Sequence, residues 1–213
     1  MWGYMSNIFN NLSPYRKMDD PLAFNQYFRN GLNKCDGYIG GSYALQQFTK
    51  AHNWEPNDVD IMIGCEDIHN FNDKVKLFET EMNVKLLKSY NYYKSKQYDN
   101  INKIFTNKYD EYNEKFHDSI LSTRTYELDG FNKKIQLIAI KTIHPNNIMN
   151  VLNSITDIPA CVTYKYLDNG DKIFYVPEKG LDALYTKVIA SDKICESRRD
   201  KYMKRGYIFL ELI

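Results

Sequence analysis

Two neighbouring clusters constrain this chain more than anything else in it: Tyr38-Ile39-Gly40-Gly41-Ser42, then Asn57-Asp58-Val59-Asp60-Ile61-Met62-Ile63. Side chains two apart on a strand share a face, so Asp58 and Asp60 present their carboxylates together while Val59, Ile61 and Ile63 turn to a core. Aspartate is a poor strand former, and two of them in an aliphatic strand suit a hard cation, which favours clustered oxygens. Without side chains, Gly40 and Gly41 let the backbone approach a phosphate. A helix starting near Ser42 then offers free N–H groups, its positive dipole end and the Ser42 hydroxyl. The plainer reading has the glycines making a tight strand-to-helix turn, Ser42 capping the helix and the aspartates tolerated at a solvated strand end.

Composition narrows the setting. At 213 residues the chain is long enough for one well-buried domain, which at this size removes roughly 70% of the unfolded surface from water. A net charge of +1 with 26% charged residues gives no general pull on polyanions, so any anion site has to be local. Cys35, Cys65, Cys161 and Cys195 form no C-x-x-C pair, and His52, His69, His117 and His144 are equally dispersed, which argues against zinc. With no secretory signal evident, reduced thiols in an intracellular, cytoplasmic setting are expected. No apolar run approaches the ~20 residues that span a bilayer, so no membrane partner is expected. The 18 tyrosines accompany abundant Lys, Asn and Ile, as an A/T-rich genome would produce. The Tyr90–Phe116 tract therefore reads more readily as a solvated insertion or helix surface than as a base-stacking platform.

Residues 1–18 carry little pattern and are expected to form an arm. Asp20 caps a helix with Pro21 in its first turn, and Phe24, Phe28 and Leu32 supply an apolar stripe. A short strand at Tyr38-Ile39 leads into the glycine turn and a helix from Ser42 to about Lys50. The Asp58–Ile63 strand follows, then a helix from Ile68 to Glu81 and a strand over Val84–Leu87. Leu121–Leu128 and Lys134–Ile140 read as an antiparallel pair around Asp129-Gly130, the second strand apolar on both faces and hence central. Pro145 starts a short helix ending near Ile155, and Ala160–Tyr166 pairs with Lys172–Val176 around Gly170. The chain is then expected to end helically, with one helix over Leu181–Ala190 and a basic one stopping at Gly206. The division expected is 1–18 arm, 19–190 domain and 191–213 basic C-terminal helix.

Strand, Gly-Ser turn, helix, then a strand bearing Asp-x-Asp: in this order the chain resembles nucleotidyltransferases of the DNA polymerase β type. Gly-Gly-Ser-x-Ala-Leu with Trp54-x-Pro-Asn-Asp-Val-Asp is most similar to nucleotidyltransferase-like proteins of large DNA viruses and some amoebae and fungi. So are Lys134-Ile-Gln-Leu-Ile138, Thr-Asp157-Ile-Pro-Ala-Cys161 and the terminal Arg-x-x-Lys-Tyr-x-x-Arg-Gly. The resemblance runs from about Gly37 to Tyr207. It implies an α/β (α+β) fold, a mixed β-sheet with helices packed on one face and further helices at the C-terminus. It also implies metal-dependent transfer of a nucleoside monophosphate from an NTP to a hydroxyl acceptor on RNA, protein or another nucleotide, in a virus-encoded or cellular setting. Asp58 and Asp60 become the catalytic ligands of Mg²⁺ or Mn²⁺, while Gly40, Gly41, Ser42 and Lys187 bind the nucleotide.

The chain departs from this family at one place. A third carboxylate is expected on the strand Lys133-Lys134-Ile135-Gln136-Leu137-Ile138, where the position falls on Gln136, or on Lys134 in a shifted register. Glutamine can ligate through its carbonyl oxygen but brings no charge, and lysine opposes a cation. Glu127, Asp129 and Asp157 are the other candidates. An alternative reading is therefore a catalytically inactive binding or assembly module on the same fold. Arg198, Arg199, Lys201, Lys204 and Arg205 form the densest basic segment, which is either a solvated helix face or a phosphate contact. A nucleic-acid-binding role without catalysis is the third reading, with strong salt dependence as its signature.

Overall fold

Helix formation begins where Asp20 accepts the Leu22 amide at 3.1 Å and Pro21 sets the first turn. The computed structural model describes residues 20–51, 53–82, 84–91, 119–142, 148–155, 161–190 and 196–210. The expected arm over 1–18, the 92–116 part of the Tyr-rich tract, the helix start at Pro145 and Asp157 lie outside the described residues. The single helix expected after Asp20 is two, α1 (Pro21–Phe24) and α2 (Gln26–Lys34). Asn25 leaves the helical region with ψ of 100°, and its side chain accepts the Phe28 amide at 3.0 Å, so the helix restarts from a fresh cap.

The next elements are β1 (Gly37–Gly40), α3 (Gly41–Thr49), β2 (Asp58–Cys65) and α4 (Ile68–Glu81). The last buries Phe71, Val75 and Phe78, the stripe its spacing predicts. β3 (Val84–Asn91) runs beyond the expected Leu87; β4 (Ile120–Leu128) and β5 (Lys134–Lys141) follow, joined through Gly130 at φ +75°. Then come α5 (Ile148–Ile155), β6 (Thr163–Tyr166) and β7 (Lys172–Tyr175). Seven strands form one mixed sheet in the order β3-β4-β5-β2-β1-β6-β7, in which only β2 and β5 pair in parallel. β5 is central, as its two apolar faces require.

The sheet's two faces are unlike. Val59, Ile61 and Ile63 of β2 and Ile135, Leu137 and Ala139 of β5 join the main core with α2, α3 and α4. Their alternates Met62, Ile138 and Ile140 turn the other way, where Ile148 and Leu152 of α5 cover them in a smaller cluster. Asp58, Asp60 and Gln136 share this second face by alternation. A buried polar knot ties the first helices to the β6–β7 hairpin. Asp20, 2% exposed, accepts the hydroxyls of Tyr43 at 2.8 Å and Tyr166 at 2.7 Å and pairs with Lys172 at 2.7 Å. Cys35, Cys65 and Cys161 are buried free thiols, and burial pushes those of Cys35 and Cys65 up to about 12. Among the described residues no helix is long and apolar enough to cross a membrane.

The C-terminal part differs from expectation. The helix expected over Leu181–Ala190 is α6 (Glu178–Thr186), and it ends because Lys187 adopts the left-handed region at φ 59°. Val188-Ile189-Ala190 leave it as a strand, β8, matching the preference of branched side chains. The basic helix α7 (Glu196–Met203) gives way through Gly206, at φ +85°, to β9 (Ile208–Leu210), which pairs in parallel with β8. The described chain thus closes on a strand, not on a helix, and the pairing crosses residue 190.

Candidate active site

β1 delivers the chain to the site and α3 carries it away. Gly40 opposes Asp60 across the antiparallel β1–β2 ladder, and Gly41 turns the chain into α3 at φ +62°. A Cβ on Gly41 would overlap Oδ2 of Asp60, so the carboxylate lies directly against this backbone. A Cβ on Gly40 would meet Met62 Cε at 2.8 Å. Gly41 is favoured as glycine for its left-handed backbone, while at Gly40 a side chain would have to displace the end of Met62. Gly40 at the N-cap has no side chain to cap α3, and the contact of Gly41 with Asp60 sets the first turn's N–H groups and positive dipole end near that carboxylate. Ser42 is half-buried in the first turn.

Asp58 and Asp60 are half-buried on one face of β2, as strand alternation predicts, with Val59 and Ile61 fully buried behind them. Burial raises the Asp60 carboxyl from its ordinary 3.8 to about 7, and the Asp58 charge pushes the same way. Lys201 and Arg198 act against that rise. In turn, burial and the like charges of Arg205 and Arg198 lower the Lys201 ammonium, while Asp58 and Asp60 act to raise it. Two charges of the basic helix α7 thus act on the carboxylate pair.

The parallel β2–β5 ladder settles the register left open by the sequence: Gln136 stands beside Asp60 and Lys134 beside Asp58. Thr125 of β4 flanks Gln136 on its other side. Of the other carboxylates considered, Glu127 is exposed and lies 4.0 Å from Lys85, and Asp129 is exposed at the hairpin turn. Among the described residues no group of three His, Cys, Asp or Glu is arranged to hold a metal. Two adjacent carboxylates, one with its pKa raised by burial and by the other's charge, are nevertheless a donor set that a divalent cation suits, since the cation relieves both effects. Asp58 and Asp60 would hold it, with Gln136 beside Asp60 on the neighbouring strand.

Lys187 stands just past the end of α6 and not within a helix. Its Nζ lies 3.3 Å from the Tyr207 hydroxyl and 4.5 Å from the centre of that ring. The features that sequence reasoning missed are the approach of Arg198 and Lys201 and the stack of the Arg205 guanidinium 3.9 Å over Trp54. Arg198 and Lys201 are three residues apart, which places them on one side of a helix. That spacing was legible; the surface it meets was not.

These elements define a nucleotidyltransferase-like α+β fold, a mixed sheet whose glycine turn and paired aspartates meet at the start of α3. A solved CCA-adding enzyme in complex with CTP is similar over 91% of this chain at a TM-score of 0.50 and 13% identity. An apo CCA-adding enzyme is similar over 80% of this chain, with a TM-score of 0.46 and 17% identity. An apo tRNA-processing enzyme covers 82%, at 0.48 and 13%. This chain spans 41%, 33% and 37% of those three proteins, and at such identities the likeness is one of fold. No family model and no curated protein sequence matches it.

Proposed function

We propose that the protein is a metal-dependent nucleotidyltransferase of the polymerase β type, of the kind its motifs resemble in large DNA viruses, amoebae and fungi. It transfers a nucleoside monophosphate from an NTP to a hydroxyl acceptor. The observation that carries this reading is the contact of the Asp60 carboxylate with Gly41 at the uncapped start of α3, with Asp58 on the same strand face. The CTP bound by the CCA-adding enzyme of similar fold adds support for an NTP and makes RNA the first acceptor to test.

In this reading the Gly40–Gly41 backbone and Ser42 bind phosphate through the start of α3. Asp58 and Asp60 hold Mg²⁺ or Mn²⁺, which when bound neutralises phosphate charge and lowers the pKa of a coordinated hydroxyl. Transfer forms a bond from the acceptor oxygen to the α-phosphorus and breaks the bond from that phosphorus to the bridging oxygen, so pyrophosphate leaves and the acceptor proton goes to solvent or a base.

Gln136 beside Asp60 favours a second reading, an inactive module that keeps the fold for binding or assembly. Purified protein incubated with each α-radiolabelled NTP, Mg²⁺ or Mn²⁺, and pools of RNA and protein separates the two. Metal-dependent label transfer that is lost in Asp58→Ala/Asp60→Ala supports the enzyme and reveals the acceptor. Folded protein that labels nothing overturns it in favour of the module.

A further inference from the structure

Side chains on β3 do not follow simple alternation. Lys85 and Lys88 are three residues apart, which on a regular strand puts them on opposite faces. The β3–β4 ladder is bulged at Leu87: Lys85 stands opposite Glu127 and Leu86 opposite Tyr126, but Lys88 stands opposite Thr125 and Tyr90 opposite Thr123. The extra residue returns Lys88 and Tyr90 to the face that Lys85 takes, and re-aiming of this kind is what bulges do beside functional sites. Ser122, 1% exposed, donates its hydroxyl to the Tyr90 carbonyl at 2.9 Å and fixes the end of the strand.

That face is the one bearing the aspartates. Thr125 pairs with Gln136 and Thr123 with Ile138 across β4–β5, and Gln136 pairs with Asp60 across β5–β2. One row therefore runs Asp60, Gln136, Thr125, Lys88, three strand spacings of about 4.8 Å and so about 14 Å long. Tyr90 ends the row on one side of it, while Lys134 beside Asp58 and Lys85 on β3 extend the other side. Among the described residues α5 covers Met62, Ile138 and Ile140, whereas Thr123, Thr125 and Gln136 are half-buried, Lys85 and Lys88 exposed and Tyr90 43% exposed. The result is a polar track and not an apolar groove. Its chemistry fits a single-stranded nucleic acid, with ammonium groups for phosphates, a ring for an unstacked base, and hydroxyl and amide groups for sugar and base edges. Lysines on an edge strand also blunt edge-to-edge pairing, but that role is served from either face and needs no bulge.

We propose that this track seats the acceptor as a single-stranded nucleic acid. Its terminal hydroxyl lies at Asp60 and the preceding nucleotides run over Gln136 and Thr125 to β3, where Lys85 and Lys88 meet phosphates and Tyr90 stacks on a base. The inference rests on the transferase reading of the aspartate site: the terminal oxygen bonds to the α-phosphorus as pyrophosphate leaves, and its proton goes to solvent or a base. Tyr90 opens the tyrosine-rich tract, whose composition gave no reason for a stacking role; its place on the ladder supplies one.

The test is fluorescence anisotropy of the full chain with a labelled single-stranded RNA and its DNA equivalent at several salt concentrations, beside calorimetric titration with ATP and Mn²⁺. Lys85→Gln/Lys88→Gln is expected to lower the slope of log affinity on log salt by about 1.4, two phosphate contacts at about 0.7 each. Tyr90→Ala is expected to weaken single-strand binding about 5- to 150-fold, the range for one stacked base, with Tyr90→Phe close to the native protein. All three are expected to bind ATP as the native protein does. Lys34→Gln/Lys76→Gln, on the helices α2 and α4 of the other face, is the charge-matched control. Should Tyr90→Ala not fold, the exposed lysine pair carries the test. Unchanged oligonucleotide binding in Lys85→Gln/Lys88→Gln, or an equal fall in slope in the control, overturns the track and leaves the nucleotide site standing. So does a native protein that binds ATP and no single strand. No binding of either ligand by the folded native protein overturns both. Label transferred to protein and not to nucleic acid in the transfer assay overturns the track and makes a protein side chain the acceptor.

Discussion

Replacing Asp60 by asparagine is expected to make the metal-free protein more stable at neutral pH. The Asp60 carboxyl stands at about 7 in the folded chain against an ordinary 3.8, with burial as the first cause and Asp58 as the second. A carboxyl held more tightly protonated when folded gives stability that is complete below the unfolded pKa and is lost as pH rises through the folded one. The window therefore runs from about pH 4 to about pH 7, and the loss across it is at most about 4 kcal/mol, three pKa units at 1.36 kcal/mol each. Asparagine mimics the protonated side chain and does not titrate. Asp60→Asn should exceed the native protein by no more than about 1 kcal/mol near pH 4.5 and by about 2 to 4 kcal/mol near pH 8 in chelator, once local relaxation is allowed for. Paired urea titrations measure this, and the remaining acid-sensitive groups cancel in the difference. Excess Mn²⁺ should then narrow the gap by stabilising the native protein more than the variant, by about 2.7 kcal/mol at a hundredfold excess over its Kd. An Asp60→Asn protein that is no more stable at pH 8 than at pH 4.5, relative to the native chain, refutes the burial argument. Equal stabilisation of both by Mn²⁺ refutes Asp60 as a ligand.

Three further outcomes are expected. Gly41→Ala should cost at least about 1 to 2 kcal/mol for its left-handed backbone and also abolish Mg²⁺-dependent triphosphate binding, because the new Cβ displaces Asp60. Gly130→Ala, at φ +75° with none of the described residues within 4 Å of its Cβ, should show the backbone cost and normal binding, and equal binding losses in the two would contradict this. Gln136→Glu places a third carboxylate beside Asp60 and should tighten Mn²⁺ binding about tenfold or more, read by electron paramagnetic resonance, while destabilising the metal-free protein; unchanged affinity would show that this position does not face the ion. Asp20→Ala removes the buried acceptor of the Tyr43 hydroxyl and half the partners of Lys172 and Tyr166, which keep Gln47 and Tyr164, and should cost about 2 to 4 kcal/mol in urea unfolding, whereas a loss under about 1 kcal/mol would deny the knot its role.

The legible parts of the fold share a physical basis. Alternation along β2 places Asp58 with Asp60 and Val59 with Ile61 whatever surrounds them, and the stripe Phe71, Val75, Phe78 marks α4 in the same way. Gly40-Gly41 announces a turn because glycine readily takes the left-handed backbone that Gly41 adopts. The elements misread are those where a residue without a strong signal breaks the pattern. Asn25 recaps a helix that its apolar spacing continues, and Lys187 takes a left-handed conformation that lysine seldom adopts, so the helical spacing of Leu181, Leu184 and Val188 runs on into what is strand β8.

The strands that carry the candidate site, the two aspartates and the glycine turn beside them are legible in the chain alone, since each follows from geometry within a few residues. That Gln136 and not Lys134 stands next to Asp60, that Asp20 is buried among tyrosines and that Lys187 is held on Tyr207 emerges only on folding. These depend on which distant segments meet. That is settled by the packing of Tyr202, Tyr207 and Trp54 and by the pairing of β8 with β9, and no local periodicity encodes the partner of a surface charge.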